Sequence, residues 1–221
     1  MKLSKNTLNI LKNFAGINSN ILLKAGTKIS TISPQKNLFG TAVIAESIPI
    51  EFGIYDLNEF LSVYSLFADP DLSFTEKYIL VKEVGNSVKF YAAEASLLAV
   101  PLKEVVFPDP EITFKLPTNT LSLIQRASGV LNQGTACDLS FIGNSQNIIA
   151  CVSDKKNASS NSYEVPLGLT DKTFKVNMKV ENLKVIPGDY TVSISSKRIS
   201  KFEGLKDLIY YIALESDSTF E

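Results

Sequence analysis

Ser4-Lys5-Asn6-Thr7-Leu8-Asn9-Ile10-Leu11-Lys12-Asn13-Phe14 is the stretch whose pattern organises the rest of the chain. At 100° per residue, Leu3, Thr7, Ile10, Leu11 and Phe14 gather on one side, while Lys2, Lys5, Asn9 and Lys12 lie opposite. This predicts an amphipathic helix with an apolar side for a core and a basic side for solvent. Ser4 is placed as its N-cap, with a hydroxyl that accepts from a free amide of the first turn. Lys5 and Lys12 are two turns apart and point the same way. Taken alone, the basic side is an ordinary solvated face, because surface helices usually carry lysines. It gains meaning because the chain builds a similar unit twice.

Outward from that helix, strands are predicted at Ile21–Lys24, Thr27–Ser33, Phe39–Ile44 and Glu51–Tyr55. Asp56 caps a second helix, Leu57–Phe67, with Leu57, Phe60, Tyr64 and Phe67 inward and Asn58, Glu59, Ser62 and Ser65 outward. A hairpin of Tyr78–Val84 and Ser87–Ala93 turns at Gly85-Asn86. Pro101, Pro108, Pro110 and Pro117 then punctuate a stretch that contains Val105-Val106-Phe107. Proline removes backbone donors and favours extended chain, so residues 101–117 read as a connector between a domain at 1–100 and another at 118–221. In the second domain Thr118 caps Asn119–Leu131, whose outer face carries Asn119, Ser122, Arg126 and Gln133. Strands flank Gly143-Asn144, a loop spans 154–161, and Tyr163–Leu167 and Thr173–Met178 follow. A short helix, Lys179–Ile186, precedes Pro187-Gly188-Asp189-Tyr190 and the strands Tyr190–Ser195, Ile199–Phe202 and Leu208–Leu214. Element order repeats at an offset of roughly 115 to 125 residues, which reads as domain duplication.

Composition excludes several function classes. The 221 residues, 45% hydrophobic and 20% charged, suit one large globular domain or two of ordinary size. Lysine and arginine number 22 against 23 acids, a net charge of -1. A protein that grips DNA tightly through phosphates is distinctly basic, so any nucleic-acid contact here must come from a local surface. No apolar run is long enough to span a bilayer, and Met1-Lys2-Leu3-Ser4 leads into the helix without a signal-peptide pattern. An intracellular chain is therefore expected. There is no histidine, so Ser-His-Asp and Cys-His arrangements are absent. No phosphate-binding glycine loop or dinucleotide fingerprint occurs, and two thiols without histidine do not make a zinc site of the usual kind. A non-enzyme without catalytic residues, metal or cofactor is expected. Cys137 and Cys151 flank the turn at Gly143-Asn144-Ser145 at equal distance from Asn144. Either they face each other across a hairpin or, as two small core residues in a reducing cell, they stay reduced; the second is the expectation.

Several short identities in order resemble one family: the sliding clamps, or DNA polymerase processivity factors, of T-even-type bacteriophages. They are Met1-Lys2-Leu3-Ser4-Lys5, Leu11-Lys12-Asn13-Phe14-Ala15 and Ile17-Asn18-Ser19, then Ile54-Tyr55-Asp56-Leu57-Asn58. Pro187-Gly188-Asp189-Tyr190, Lys201-Phe202-Glu203-Gly204 and Ala213-Leu214-Glu215-Ser216-Asp217-Ser218-Thr219 complete the set. The resemblance implies an α+β DNA-clamp fold, two similar domains each with two helices packed on antiparallel sheet, assembling head to tail as a homotrimeric ring around duplex DNA. Such a ring needs a heterologous interface that closes on itself.

By family position, Lys2, Lys5, Lys12, Arg126, Lys179 and Lys184 would face the DNA. The lining is thin, because Leu57–Phe67 has no cation and Gly129 stands where the family often carries a second basic residue. Val88 and Phe90 would meet Tyr163, Val165 and Leu167 of the next subunit. Val105, Val106, Phe107 and Phe220 would border an apolar pocket for partner peptides. The implied partners are double-stranded DNA, the replicative DNA polymerase and an ATP-driven clamp loader, in the cytoplasm of the infected host cell, with no membrane. A role in late transcription is a further implication. The competing class is a β-rich phage structural or interaction protein with a duplicated domain and no DNA role, which has no reason to sort lysines onto one helix face.

Overall fold

Burying the apolar side of the first helix sets the layout of the N-terminal half. The computed structural model describes residues 1–131, 137–157, 159–205 and 207–221. They divide into one unit from Met1–Glu104 with residues 207–208, and another from Val105–Leu205 with Ile209–Glu221. Gln133, assigned above to the outer face of the third helix, lies outside the described residues.

In chain order the first unit comprises α1 (Lys5–Ile17), β1 (Ile21–Leu23), β2 (Gly26–Ile32), β3 (Leu38–Ile48) and β4 (Phe52–Ile54). It continues with α2 (Leu57–Ser65), β5 (Asp71–Phe74), β6 (Tyr78–Glu83) and β7 (Asn86–Tyr91). Helix α1 buries Thr7, Ile10, Leu11, Phe14, Ala15 and Ile17 against α2, β2 and β3. Each large apolar side chain so buried contributes about 1.5–3 kcal/mol. Strands β1 and β4 pair, as do β2 and β3, and β5-β6-β7 form a three-stranded sheet; all are antiparallel. Gly85, at φ +82°, turns the β6–β7 hairpin in a conformation that side chains disfavour. Among the described residues, the buried Thr31 Oγ1 on β2, in a residue 1% exposed, has no hydrogen-bond partner. Thr31→Val keeps the shape and removes the unsatisfied group, so a gain of about 1 kcal/mol is expected from the denaturation midpoint. A loss would mean that the hydroxyl has a partner.

The second unit runs β8 (Ile112–Leu116), α3 (Thr118–Leu131), β9 (Asp138–Asn144), β10 (Asn147–Ser153), β11 (Ser162–Leu169) and β12 (Thr173–Lys179). Then come β13 (Tyr190–Ser195), β14 (Ile199–Glu203), β15 (Ile209–Ala213) and β16 (Thr219–Phe220). One sheet has the order β11-β10-β9-β12-β16. Strands β8, β13, β14 and β15 pair in sequence, antiparallel. Helix α3 lies on β10 and β11, with Leu121, Ile124 and Ser128 buried.

Three expectations change here. The stretch 101–117 is not connector throughout, because Ile112, Phe114 and Leu116 alternate inward and make β8, a partner for β13. Thr118 is the first residue of α3 rather than its cap. The helix expected at Lys179–Ile186 reduces to one 3-10 turn, Val180–Asn182, because Lys179 still belongs to β12. Beyond the turn, Leu183 and Val185 are buried while Lys184 is exposed. That alternation suits extended chain, and Gln125 Nε2 of α3 donates to the Leu183 and Val185 carbonyls at 3.4 Å each. The eight residues from Lys179 to Ile186, stopped by Pro187, are in any case short for a helix.

The thiols are free and buried. Register explains why they do not meet: Cys151 lies opposite Ser140, and Ser153 opposite Asp138, so Cys137 sits beyond the end of the paired region. Burial pushes both thiols above the ordinary thiol range. Titration of native protein without reductant should find little reactive thiol, and denatured protein should yield two. A denatured sample yielding none would contradict this register.

Candidate nucleic-acid interface

Helix α1 begins where the sequence places it. Ser4 Oγ accepts from the Thr7 amide at 3.2 Å, and Glu46 of β3 accepts from the Ser4 amide and the Thr7 hydroxyl. With Thr7, Ile10, Leu11 and Phe14 buried, Lys5, Asn9 and Lys12 are left exposed together. Among the described residues, neither Lys5 nor Lys12 has a hydrogen bond or ion pair, so both ammonium groups are available to an external anion. Lys2 differs: it is tied to Asp69, which raises its pKa.

On α2, packed beside α1, Asp56 Oδ1 accepts from the Asn58 and Glu59 amides at 2.9 and 3.2 Å. Its exposed residues are Asn58, Glu59, Ser62 and Ser65. Ser62 and Ser65 donate to the Asn58 and Ser62 carbonyls, both at 2.8 Å, so this face offers no cation and one acid.

In the second unit, Arg126 is exposed on α3 with Asn119, Leu123, Gly129 and Val130. The remaining two basic candidates are not on a helix. Lys184 is exposed on the extended segment after the 3-10 turn. Lys179 bonds to Asp138 at 2.8 Å; Asp138 is 2% exposed and lies 3.9 Å from Lys155. That contact raises the Lys179 pKa and holds the ammonium in a structural pair. Lys5, Lys12 and Arg126 are therefore the helix-borne cations the structure leaves accessible, while Lys2 and Lys179 are engaged elsewhere. Their partners are 67 and 41 residues away, and no local pattern signals them.

Residues assigned to subunit contact fall on two open sheet edges, β7 in the first unit and β11 in the second. Val88 and Phe90 are half-buried, with the Phe90 ring 5.3 Å from Phe60 of α2, while Tyr91 is 66% exposed. Tyr163, Val165 and Leu167 are likewise half-buried along β11, which contacts α3. Each edge strand thus combines an apolar row on its helix side with an edge that, among the described residues, pairs with no further strand. Pro166 interrupts the row of donors on β11, as proline on an edge strand does.

The residues expected around a partner pocket separate. Phe107 lies 5.9 Å from the Tyr211 ring of β15, and Val106 is 90% exposed. Phe220 pairs with Phe174 through β16 and lines a depression of about 380 Å³ with Glu111, Ile112, Lys172 and Ser196. Val105, Val106 and Phe107 are not in its lining.

Comparison with known proteins agrees with this architecture. In overall fold the chain is similar to the PCNA of A. fulgidus solved with the C-terminal region of FEN-1, at TM-score 0.70 and 12% identity over 99% of this chain and 100% of that one. That likeness defines the class, a DNA-clamp fold. A model described as DNA polymerase processivity factor matches residues 2–99, and one described as gp45 sliding clamp, C terminal, matches residues 114–216. The sliding clamp of Vibrio phage KVP40 is 35% identical over 222 residues, 98% of this chain and 100% of that protein. The sliding clamp of Escherichia phage RB69 is 32% identical over 232 residues, covering all of both. The chain belongs to the bacteriophage sliding-clamp family of DNA polymerase processivity factors.

Proposed function

We propose that three copies of this chain close head to tail around duplex DNA and tether the replicative polymerase, without catalysing a reaction. The observation that carries the assembly is that β7 in one unit and β11 in the other each end a sheet with an apolar row beside the edge. A monomer would leave both exposed, which natural sheets avoid. Joined between neighbouring subunits, they form a repeating heterologous contact, and three such contacts close a ring. The lumen is then lined by α1, α2 and α3, with Lys5, Lys12 and Arg126 toward the phosphates and Lys184 beside them.

Enclosure accounts for the charge. A ring does not need strong attachment to stay on DNA, and a net charge of -1 with a few exposed cations lets phosphate contacts form and break as it moves. Partner proteins dock on the apolar surface around Val105, Val106 and Phe107, or on the separate depression at Phe220. An ATP-driven loader opens the ring, in the cytoplasm of the infected cell, and late transcription is a second user of the same tether. Sedimentation equilibrium at micromolar concentration tests the assembly: three times the 24.2 kDa chain mass is expected. A monomer persisting at high micromolar concentration contradicts the ring and favours a duplicated-domain structural protein.

A further inference from the structure

Among the described residues, α1, α2 and α3 each begin under a carboxylate. Glu46 covers the start of α1, accepting from the Ser4 amide and the Thr7 hydroxyl. Asp56 accepts from the Asn58 and Glu59 amides at the start of α2. Asp189 Oδ1 accepts from the Thr118 amide and hydroxyl, both at 2.7 Å, at the start of α3. Two of the three come from far along the chain, 42 and 71 residues from the amides they meet. Pro187-Gly188-Asp189-Tyr190 thereby acquires a role that its sequence did not announce. Tyr190, 3% exposed, donates from its hydroxyl to the Ile186 carbonyl at 2.6 Å and fixes the turn that presents Asp189.

Satisfying amides does not require a charge. Ser4 already caps α1 with a neutral hydroxyl, and serine, threonine and asparagine are all good caps. A negative charge does something more. The free amides and macrodipole make a helix N-terminus a ready seat for phosphate. A protein that must move along DNA is hindered by fixed phosphate seats.

We propose that Glu46, Asp56 and Asp189 occupy the positive ends of the lining helices so that DNA phosphates find no fixed seat there, leaving the contacts to the flexible side chains of Lys5, Lys12 and Arg126. This rests on the ring reading above. Burial alone would raise the Glu46 carboxyl, but hydrogen bonds from Thr7 and Ser4 hold it below the usual range, and those from Thr118 do the same for Asp189. Both stay ionised at neutral pH.

Asp189→Asn separates charge from capping, because the amide oxygen keeps both bonds to Thr118. Its control is Glu76→Gln in the exposed turn between β5 and β6, which removes the same charge from each subunit and lies at no helix end. Isotope-labelled trimer is titrated with a short blunt-ended duplex at low salt and followed by NMR. Asp189→Asn should bind roughly two- to five-fold more tightly than wild type, the scale of an ion at a helix end. Thr118 and its neighbours in the first turn of α3 should respond to DNA in that variant alone. Equal affinities for Asp189→Asn and Glu76→Gln, or Thr118 unmoved by DNA in Asp189→Asn, overturn the proposal. Asp56→Asn gives the same comparison at Asn58 and Glu59 if Asp189→Asn unfolds early. Wild-type protein whose Lys5, Lys12 and Arg126 signals ignore DNA overturns the lumen reading itself, and this proposal falls with it.

Discussion

Replacing Lys5, Lys12 and Arg126 together with alanine is expected to leave the fold and the ring intact while processive synthesis on a primed template collapses as salt is raised. The fold should survive because all three side chains are exposed and, among the described residues, make no hydrogen bond or ion pair. Alanine is the best helix former, and surface changes of this kind usually stay within about 0.5 kcal/mol. The loss on DNA is multiplied by symmetry, since each substitution occurs once per subunit. Every phosphate contact removed takes about 0.9 from the slope of log affinity against log salt, although only some of the cations meet the backbone at once. Glu59→Ala is the control of opposite sign: it removes a repulsive charge from α2 and should leave processivity unchanged or slightly improved. Unchanged processivity for the triple variant across a salt series, with the trimer intact, would show that these helix faces do not meet DNA.

The second large effect is expected at the edge of β11. Tyr163→Asp with Leu167→Asp leaves two carboxylates half-exposed in a free subunit, where water solvates them. Closing the ring would bury them against a neighbour without partners. An unpaired charge buried in this way costs about 3–5 kcal/mol, enough to weaken association by more than roughly a hundredfold. Sedimentation should then report the 24.2 kDa monomer, with β-sheet circular dichroism retained. Thermal unfolding should occur at lower temperature than for wild type, because the assembly no longer favours the folded state by mass action. A trimer that persists unchanged would remove β11 from the interface.

What the sequence disclosed follows the range of the forces involved. Helices α1 and α2 were legible because their apolar spacing and their caps at Ser4 and Asp56 are local. Strand β8 was hidden by the prolines around it, although Ile112, Phe114 and Leu116 alternate as a strand should. The 3-10 turn at Val180–Asn182 reads as a helix in sequence because Val180, Leu183 and Lys184 suit one when read alone. Buried Leu183 and Val185, held by Gln125, decided otherwise. The cap on α3 could not be read from Thr118 alone, because Asp189 arrives from a distant turn. For the candidate site, residue types are legible in the sequence but their engagement is not. Lys5 and Lys2 look alike in a string, yet one is open and the other is paired with Asp69. Lys179 is likewise absorbed by Asp138.

Enclosure of DNA is the central claim, and topology tests it more directly than affinity does. Protein loaded onto nicked circular duplex by the proposed ATP-driven loader should stay with the DNA through gel filtration at high salt. Cutting the circle once, with no change in sequence or charge, should release it, because a ring slides off an end. Equal retention on circular and linear duplex would show a protein bound to the DNA surface, and would contradict the account.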